Sequence, residues 1–395
     1  RLNKKVKATK VITVKQMYAN SVTLDKTALN GYEGSTFTLK ATVKGPVGYY
    51  NQGVVWSTSD SSVATVVAGK VVCLKAGTAT ITATEKNGTK KAACEVTVKA
   101  LPTSASFGYA ANKVFVDPAY VAAVSKEGKK NVVIADVGWG TDYTTAAHIP
   151  GAIHINSDAV EYDDCDPWPM GDGWDDFAIY GKYYVDPDVN FNIRNAKQLK
   201  QFMKDNGIKE DTEVILYNNH QKANGGFGPS SAVGRVAFAM LYYGVDSVRI
   251  VDGGYPAWEA AGFATETQAN EPDAGGLLYK FGNGTYPENT DYIATIEEVQ
   301  EELVQNQNDK FRLVAIRSMD EFTGKDSGYG YIETAGEPVG AVWGHDTDDG
   351  SYHKADGTII DFSTLEGYLA KSGTSFADAD EVSFYCGTGW RATLP

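Results

Sequence analysis

Two rhythms of apolar and polar residues divide this chain. Through residue 100 the period is two: Thr36-Phe37-Thr38-Leu39-Lys40-Ala41-Thr42-Val43, Thr78-Ala79-Thr80-Ile81-Thr82-Ala83-Thr84 and Cys94-Glu95-Val96-Thr97-Val98 all alternate. Alternation of this kind puts one face of a strand against a core and the other in water. Gly and Asn separate the strands, and Asn87-Gly88 reads as a two-residue hairpin turn. Short alternating strands at this spacing predict an all-β sandwich over residues 1–100, with Trp56 as a core aromatic. Cys73 and Cys94 fall within the pattern, either bonded to each other or as two separate buried thiols.

Residues 101–113, with Pro102, Ser104 and Ser106, read as a linker, and then the rhythm changes. Asp117-Pro118 opens a helix as N-cap and first-turn proline. Asn131 to Val137 is a continuous apolar strand of the parallel-sheet kind. A helix from Asn195 to Asn206, a strand from Glu213 to Tyr217, a helix from Ser230 to Tyr243, a strand from Ser247 to Val251 and a helix from Pro256 to Ala261 follow. This alternation predicts an α/β domain over 114–270. The order then restarts, so the chain carries an internal repeat, with a second α/β domain over 285–395. Thr295-x-x-Glu298 caps a helix, Phe311 to Ile316 is a strand, Ser363-x-x-Glu366 caps a helix through Leu369, and Glu381 to Tyr385 is the last strand. Laid over each other, Leu216-Tyr217-Asn218 of the first copy matches Phe384-Tyr385-Cys386 of the second. An amide stands where the other copy has a thiol.

Composition narrows the field. At 395 residues with 43% hydrophobic and 22% charged positions, the chain is long enough for two or three domains with cores of their own. A net charge of −14 argues against nucleic acid and against an anionic membrane surface as partners. The most apolar stretch, Val233 to Val245, is interrupted by Arg235 and is too short to span a bilayer. Four cysteines are too few for a disulfide scaffold. The acidic runs Asp163-Asp164-Cys165-Asp166 and Asp346 to Asp349 lack the ligand spacing of a calcium loop and read as solvated surface.

The candidate chemistry sits in Cys386-Gly387-Thr388-Gly389-Trp390-Arg391, directly after the last strand. Glycines let main-chain N–H groups turn inward, and such a nest of amides holds an anion. A cysteine in a nest beside a guanidinium is a candidate thiolate nucleophile. The spacing is Cys-x4-Arg. Phosphatases of related fold use Cys-x5-Arg, the longer loop needed to wrap a tetrahedral phosphate, so the tighter loop suits a sulfur atom.

The first hundred residues resemble the group 2 bacterial Ig-like domains, on Val55-Trp56-Ser57-Thr58-Ser59-Asp60, Val63-Ala64-Thr65-Val66 and Gly69 to Ile81. That resemblance implies an extracellular spacer or adhesive module, hence an extracellular, cell-surface or periplasmic location and contact with a cell surface. The repeats resemble the tandem rhodanese-type sulfurtransferases, especially exported bacterial ones. The first copy matches through Val133 to Val137, His148-Ile149-Pro150-Gly151-Ala152-Ile153 and Val248 to Trp258; the second through Phe311 to Ser318, Gly336 to Gly344, Ser327 to Ile332 and the Cys386 loop. The resemblance implies two α/β rhodanese-like domains with parallel sheets. The second is expected to be incomplete at its C-terminus, since the sequence ends at Pro395, just past the loop. It also departs from the family in having Ala315 and Glu337 where the first copy has Asp136 and His148. Losing both together suggests an exchanged structural pair, with His148 a core histidine.

The chemistry implied is a double displacement, for which no metal or organic cofactor is expected. Cys386 takes sulfur from a small anionic donor such as thiosulfate, the amides of Gly387, Thr388, Gly389, Trp390 and Arg391 hold the persulfide, and a thiol or cyanide accepts it. Arg391 is expected to favour the thiolate. Arg317 is expected to bind the donor's oxyanion, its alternative being an ion pair with Asp320 or Glu321. Mercaptopyruvate is an alternative donor, and a non-catalytic surface-binding protein is the alternative of another class.

Overall fold

The computed structural model describes residues 17–49, 53–110, 112–138, 146–161, 192–218, 230–328, 334–346 and 352–393. The chain divides into two compact units, Arg1–Leu101 and Pro102–Pro395. The first contains strands β1 (Ser21–Leu24), β2 (Ala28–Tyr32), β3 (Thr36–Thr38), β4 (Ala41–Lys44), β5 (Val54–Thr58), β6 (Ala64–Val67), β7 (Lys70–Cys73), β8 (Gly77–Glu85) and β9 (Lys91–Lys99). They form sheets ordered β2-β9-β8-β5 and β3-β7-β6, with β1 paired to β4. The inward residues Leu29, Phe37, Val71, Ile81 and Val96 make a common core, as the alternation requires.

Two details depart from the sequence pattern. The run 36–43 is not one strand: β3 pairs with β7 and β4 with β1, and the chain changes sheets between them. The bend is held because Leu39 N–H donates to Gly69 O (2.9 Å) and Lys40 N–H to the Asp25 carboxylate (2.7 Å). Asn87-Gly88 is not a two-residue turn, because the connection from β8 to β9 runs Lys86–Thr89, with Glu85 N–H closing it on Lys90 O at 2.9 Å. Cys73 and Cys94 are buried free thiols. Burial pushes the Cys73 thiol up to about 11 and raises Cys94 as well. Trp56 is partly buried against the core, as expected.

The second unit opens on residues expected to be a linker, and they are packed. Main-chain N–H and hydroxyl of Ser104 both donate to the Glu127 carboxylate at 2.7 Å, and Phe107 and Tyr109 stack around Tyr120. Then come β10 (Phe115–Val116), α1 (Pro118–Glu127), β11 (Val132–Gly138), β12 (Ile153–Asn156), α2 (Ala196–Asp205), β13 (Glu213–Tyr217), α3 (Ser230–Tyr243), β14 (Ser247–Val251) and α4 (Gly254–Ala260). The sheet is parallel throughout, in the order β10-β14-β13-β11-β12. Asp117 caps α1 through Ala119 N–H, and Asn195 with Gln198 makes a capping box for α2. Leu199, Phe202, Met203, Val233, Val236 and Met240 fill the space between helices and sheet.

A second parallel sheet follows, ordered β16-β15-β17, from β15 (Phe311–Ala315), β16 (Val342–Trp343) and β17 (Glu381–Tyr385). Its helices are α5 (Ile296–Gln300), α6 (Met319–Phe322) and α7 (Phe362–Lys371). The predicted box of Thr295 with Glu298 forms. The cap of α7 is Asp361 and not Ser363: its carboxylate accepts from Thr364 N–H at 2.9 Å and from the hydroxyls of Ser363 and Thr364. A carboxylate that collects three donors outcompetes a hydroxyl for the cap.

The two sheets are registered alike. In the first, Ala135 pairs with Ile153 and Asp136 with Tyr217; in the second, Val314 pairs with Val342 and Ala315 with Tyr385. Asn218 and Cys386 therefore leave equivalent strand ends, as the sequence overlay predicted. Among the described residues no helix is long and apolar enough to cross a membrane.

Candidate active site

Cys386 follows β17 at the C-terminal edge of a parallel sheet, where side chains of adjacent strand ends converge on a crevice. Its Sγ accepts a hydrogen bond from Gly389 N–H at 3.1 Å. Gly389 has φ +78°, a conformation that turns its N–H back over the sulfur and is strained for any residue with a Cβ. The thiol is neither sealed nor fully exposed.

Arg317 stands just past the end of β15, the strand beside β17. It does not pair with Asp320 or Glu321. Its Nη2 donates to the Glu337 carboxylate (2.6 Å), Gly336 O (3.0 Å) and the Tyr385 hydroxyl (3.2 Å), and the guanidinium lies 5.1 Å over the Tyr385 ring. The Tyr385 hydroxyl donates to the same Glu337 oxygen at 2.8 Å. Burial raises the Glu337 carboxyl above the usual range, against the pull of Tyr385 and Arg317. Glu337 thus serves as the buried counter-charge of Arg317. His148, its counterpart in the first sheet, is wholly buried with its ring nitrogens 3.2 Å from Ala146 O and 3.0 Å from Gln268 O, a core position.

Arg391 closes the loop in a different way from the one expected. It is buried, with Nη2 and Nη1 on the two oxygens of Glu321 (2.6 and 3.1 Å) and Nη1 also 3.4 Å from the Asp346 carboxylate. Burial works against the charge of Glu321, but the Arg391 and Ser318 hydrogen bonds hold its carboxyl below the usual range. With two carboxylates on one guanidinium, Arg391 anchors the end of the loop to α6. Trp390 points the other way, its indole N–H donating to the Glu161 carboxylate. The acidic run 163–166 and Tyr329 to Ile332 lie outside the described residues, and no cluster of metal-ligating groups occurs among the described ones.

Residues 18–96 match the bacterial Ig-like domain (group 2), and residues 122–261 match the rhodanese-like domain. The chain carries an Ig-like domain followed by a rhodanese-like domain. Thiosulfate sulfurtransferase YnjE of Escherichia coli (strain K12) is 32% identical over 270 residues, covering 66% of this chain and 51% of YnjE. The chain thus spans about half the length of that relative. The crystal structure of YnjE superposes with a TM-score of 0.56 at 30% identity, covering 75% of this chain and 62% of the other. Wild-type EanB superposes equally well, TM-score 0.56 at 27% identity over 71% of this chain and 61% of its own. EanB variants have been solved with hercynine and with ergothioneine, one of them carrying a cysteine persulfide.

In the rhodanese-like domain the strand equivalent to β17 is followed by Asn218, whose amide donates to Val137 O at 2.5 Å. That domain nevertheless contributes two residues to the Cys386 loop that the sequence reading missed. Arg235 on α3 donates through Nε to Glu161 Oε1 at 3.0 Å and through Nη1 to Gly389 O at 3.5 Å. A Cβ placed on Gly389 would lie 2.8 Å from Nη1. The only sequence signal was Arg235 itself, a charge on a helix otherwise apolar on its inward face.

Proposed function

We propose that this chain is a sulfurtransferase that moves sulfane sulfur through a persulfide on Cys386, and that the sheet holding Cys386 is a second rhodanese-like domain. The observation that carries the reading is the sulfur at the C-terminal edge of a parallel sheet, receiving the Gly389 amide. The names of the relatives and the repeated strand register support it.

With thiosulfate as donor, the Cys386 thiolate attacks the outer sulfur. The S–S bond of the donor breaks with its electron pair on sulfite, which leaves, and Cys386 carries the terminal sulfur as a persulfide anion. Cyanide or a thiolate then attacks that terminal sulfur. The S–S bond to Cys386 breaks, the thiolate returns, and thiocyanate or a new persulfide departs. Arg317 binds the donor's anionic end, and the Gly389 amide faces the sulfur in both states. The Ig-like domain is a spacer on an exported protein and has no part in the reaction. Mercaptopyruvate remains the competing donor. A second reading of the acceptor, an imidazole such as hercynine, is favoured by the likeness to EanB.

The test is thiocyanate formation from thiosulfate and cyanide, repeated with mercaptopyruvate. Turnover that Cys386→Ser removes, with Asn218→Ala within about threefold of the unmodified chain, is the expected result. Turnover that survives Cys386→Ser overturns the reading.

A further inference from the structure

The cavity beside Asn218 has walls from β13, β14 and the 353–359 segment, and is too small for an organic ligand. The open hollow under Arg249 is bordered by a charge already paired with Glu213, and the two thiols of the first unit are sealed in its core. What remains is the pair Arg235–Glu161, which the reaction as written does not use.

We propose that Arg235 is the positioning cation of the sulfur site: held by Glu161, it fixes the Gly389 peptide and directs its positive charge toward the Cys386 sulfur. The inference rests on the sulfur-transfer reading for its purpose, but its geometry stands alone. Arg235 and Glu161 are 6% and 7% exposed, so their mutual attraction and any field on a neighbour are little screened by water. The Gly389 peptide links the two groups, its N–H on Cys386 Sγ and its carbonyl on Arg235 Nη1. The bond from Arg235 polarises that peptide and strengthens its N–H as a donor to sulfur. Glu161 also fixes the loop from its outer side, accepting the Trp390 indole N–H on the same oxygen that holds Arg235.

Among the described residues, Glu161 faces Arg235, Trp390 and Asp158, and Arg235 faces Glu161 and the sulfur. Burial raises the Glu161 carboxyl to about 7, with Arg235 and Trp390 pulling it down and Asp158 adding to the rise. Burial likewise works against the charge of Arg235, while Glu161 and the Cys386 sulfur sustain it. Glu161 and the sulfur therefore compete for one guanidinium. Arg391 is paired with Glu321 and Asp346.

The test is the rate of Cys386 alkylation by iodoacetamide against pH, which reads the thiolate and needs no sulfur donor. Failure of the sulfurtransferase reading would leave it intact. Arg235→Gln is expected to move the midpoint up by about one to three pH units, and Glu161→Gln, which keeps an acceptor for both neighbours, to move it down by about one. Arg235→Lys should recover most of the shift. Opposite shifts from the two neutral variants are not produced by loosened packing. Shifts of the same sign, or none in either variant, overturn the proposal. If Arg235→Gln fails to fold, as judged by its melting curve, the downward shift in Glu161→Gln and the wild-type-like midpoint of Arg235→Lys decide the matter.

Discussion

The two parallel sheets of the second unit start from one design and end in different chemistry. In each, a tyrosine ends the strand that pairs with the one carrying Asp136 or Ala315, Tyr217 opposite Asp136 and Tyr385 opposite Ala315. In the first sheet the tyrosine hydroxyl accepts from Ile149 N–H at 3.1 Å, and the next residue, Asn218, bonds back to Val137 O. Both of these groups meet the protein's own main chain. In the second sheet the same hydroxyl joins Arg317 and Glu337 in a charged set, and the next residue is a thiol facing a loop amide. A strand end becomes a reaction site when its polar groups are held by side-chain charge and the nucleophile is left for a substrate. The first sheet keeps a supporting role through Arg235 and Glu161.

The comparison can be broken most severely at Arg317. If that guanidinium binds the donor's anion, Arg317→Ala should lower kcat/KM for thiosulfate by about a hundredfold or more, and Arg317→Lys should recover only part, since a point charge lacks the planar fork. Removing the cation also leaves Glu337 buried without its partner, so melting curves must accompany the kinetics. Gly389→Ala comes next. Its φ of +78° is costly for alanine and its Cβ meets Arg235, so a drop of about tenfold in turnover is expected. The same change at an open glycine such as Gly276 should be silent.

Much of this organisation was readable in the sequence. The strands Glu213–Tyr217 and Glu381–Tyr385 and the overlay of Asn218 on Cys386 followed from apolar runs with clear boundaries. Local rules carried those assignments because period and capping are properties of neighbours. The partners of Arg391, Arg317 and Arg235 were not readable. Glu321 is 70 residues from Arg391, and Glu161 is 74 from Arg235 and 229 from Trp390. A charge that is paired at such distances looks the same in sequence as one left free. Misplaced expectations at residues 36–43 and at Ser363 had a similar cause: a sheet switch, and a better cap two residues upstream.

A gentler prediction concerns pH. Glu161 titrates from an unfolded value near the ordinary carboxylate range to about 7 in the folded protein. Its folded value is raised, so its contribution to stability is complete below the unfolded value and lost as pH rises through about 7. Unfolding of the second unit by denaturant should therefore show a decline between about pH 5 and pH 8 that Glu161→Gln flattens. A decline of equal size in the glutamine variant would assign it to other groups. Smallest of all is the expected effect of removing residues 1–101. The two units have separate cores and separate sheets, so turnover should stay within about threefold. A large loss would mean that the Ig-like domain shapes the site.

The most direct measurement is the mass of the protein after incubation with thiosulfate, read on the intact chain and on the peptides bearing Cys73, Cys94, Cys165 and Cys386. The account predicts a gain of about 32 Da, one sulfur atom, confined to the Cys386 peptide and removed by cyanide. It predicts no gain in Cys386→Ser and a full gain in Asn218→Ala. A gain that persists without Cys386, or a Cys386 that never takes up sulfur from any sulfane donor offered, contradicts it.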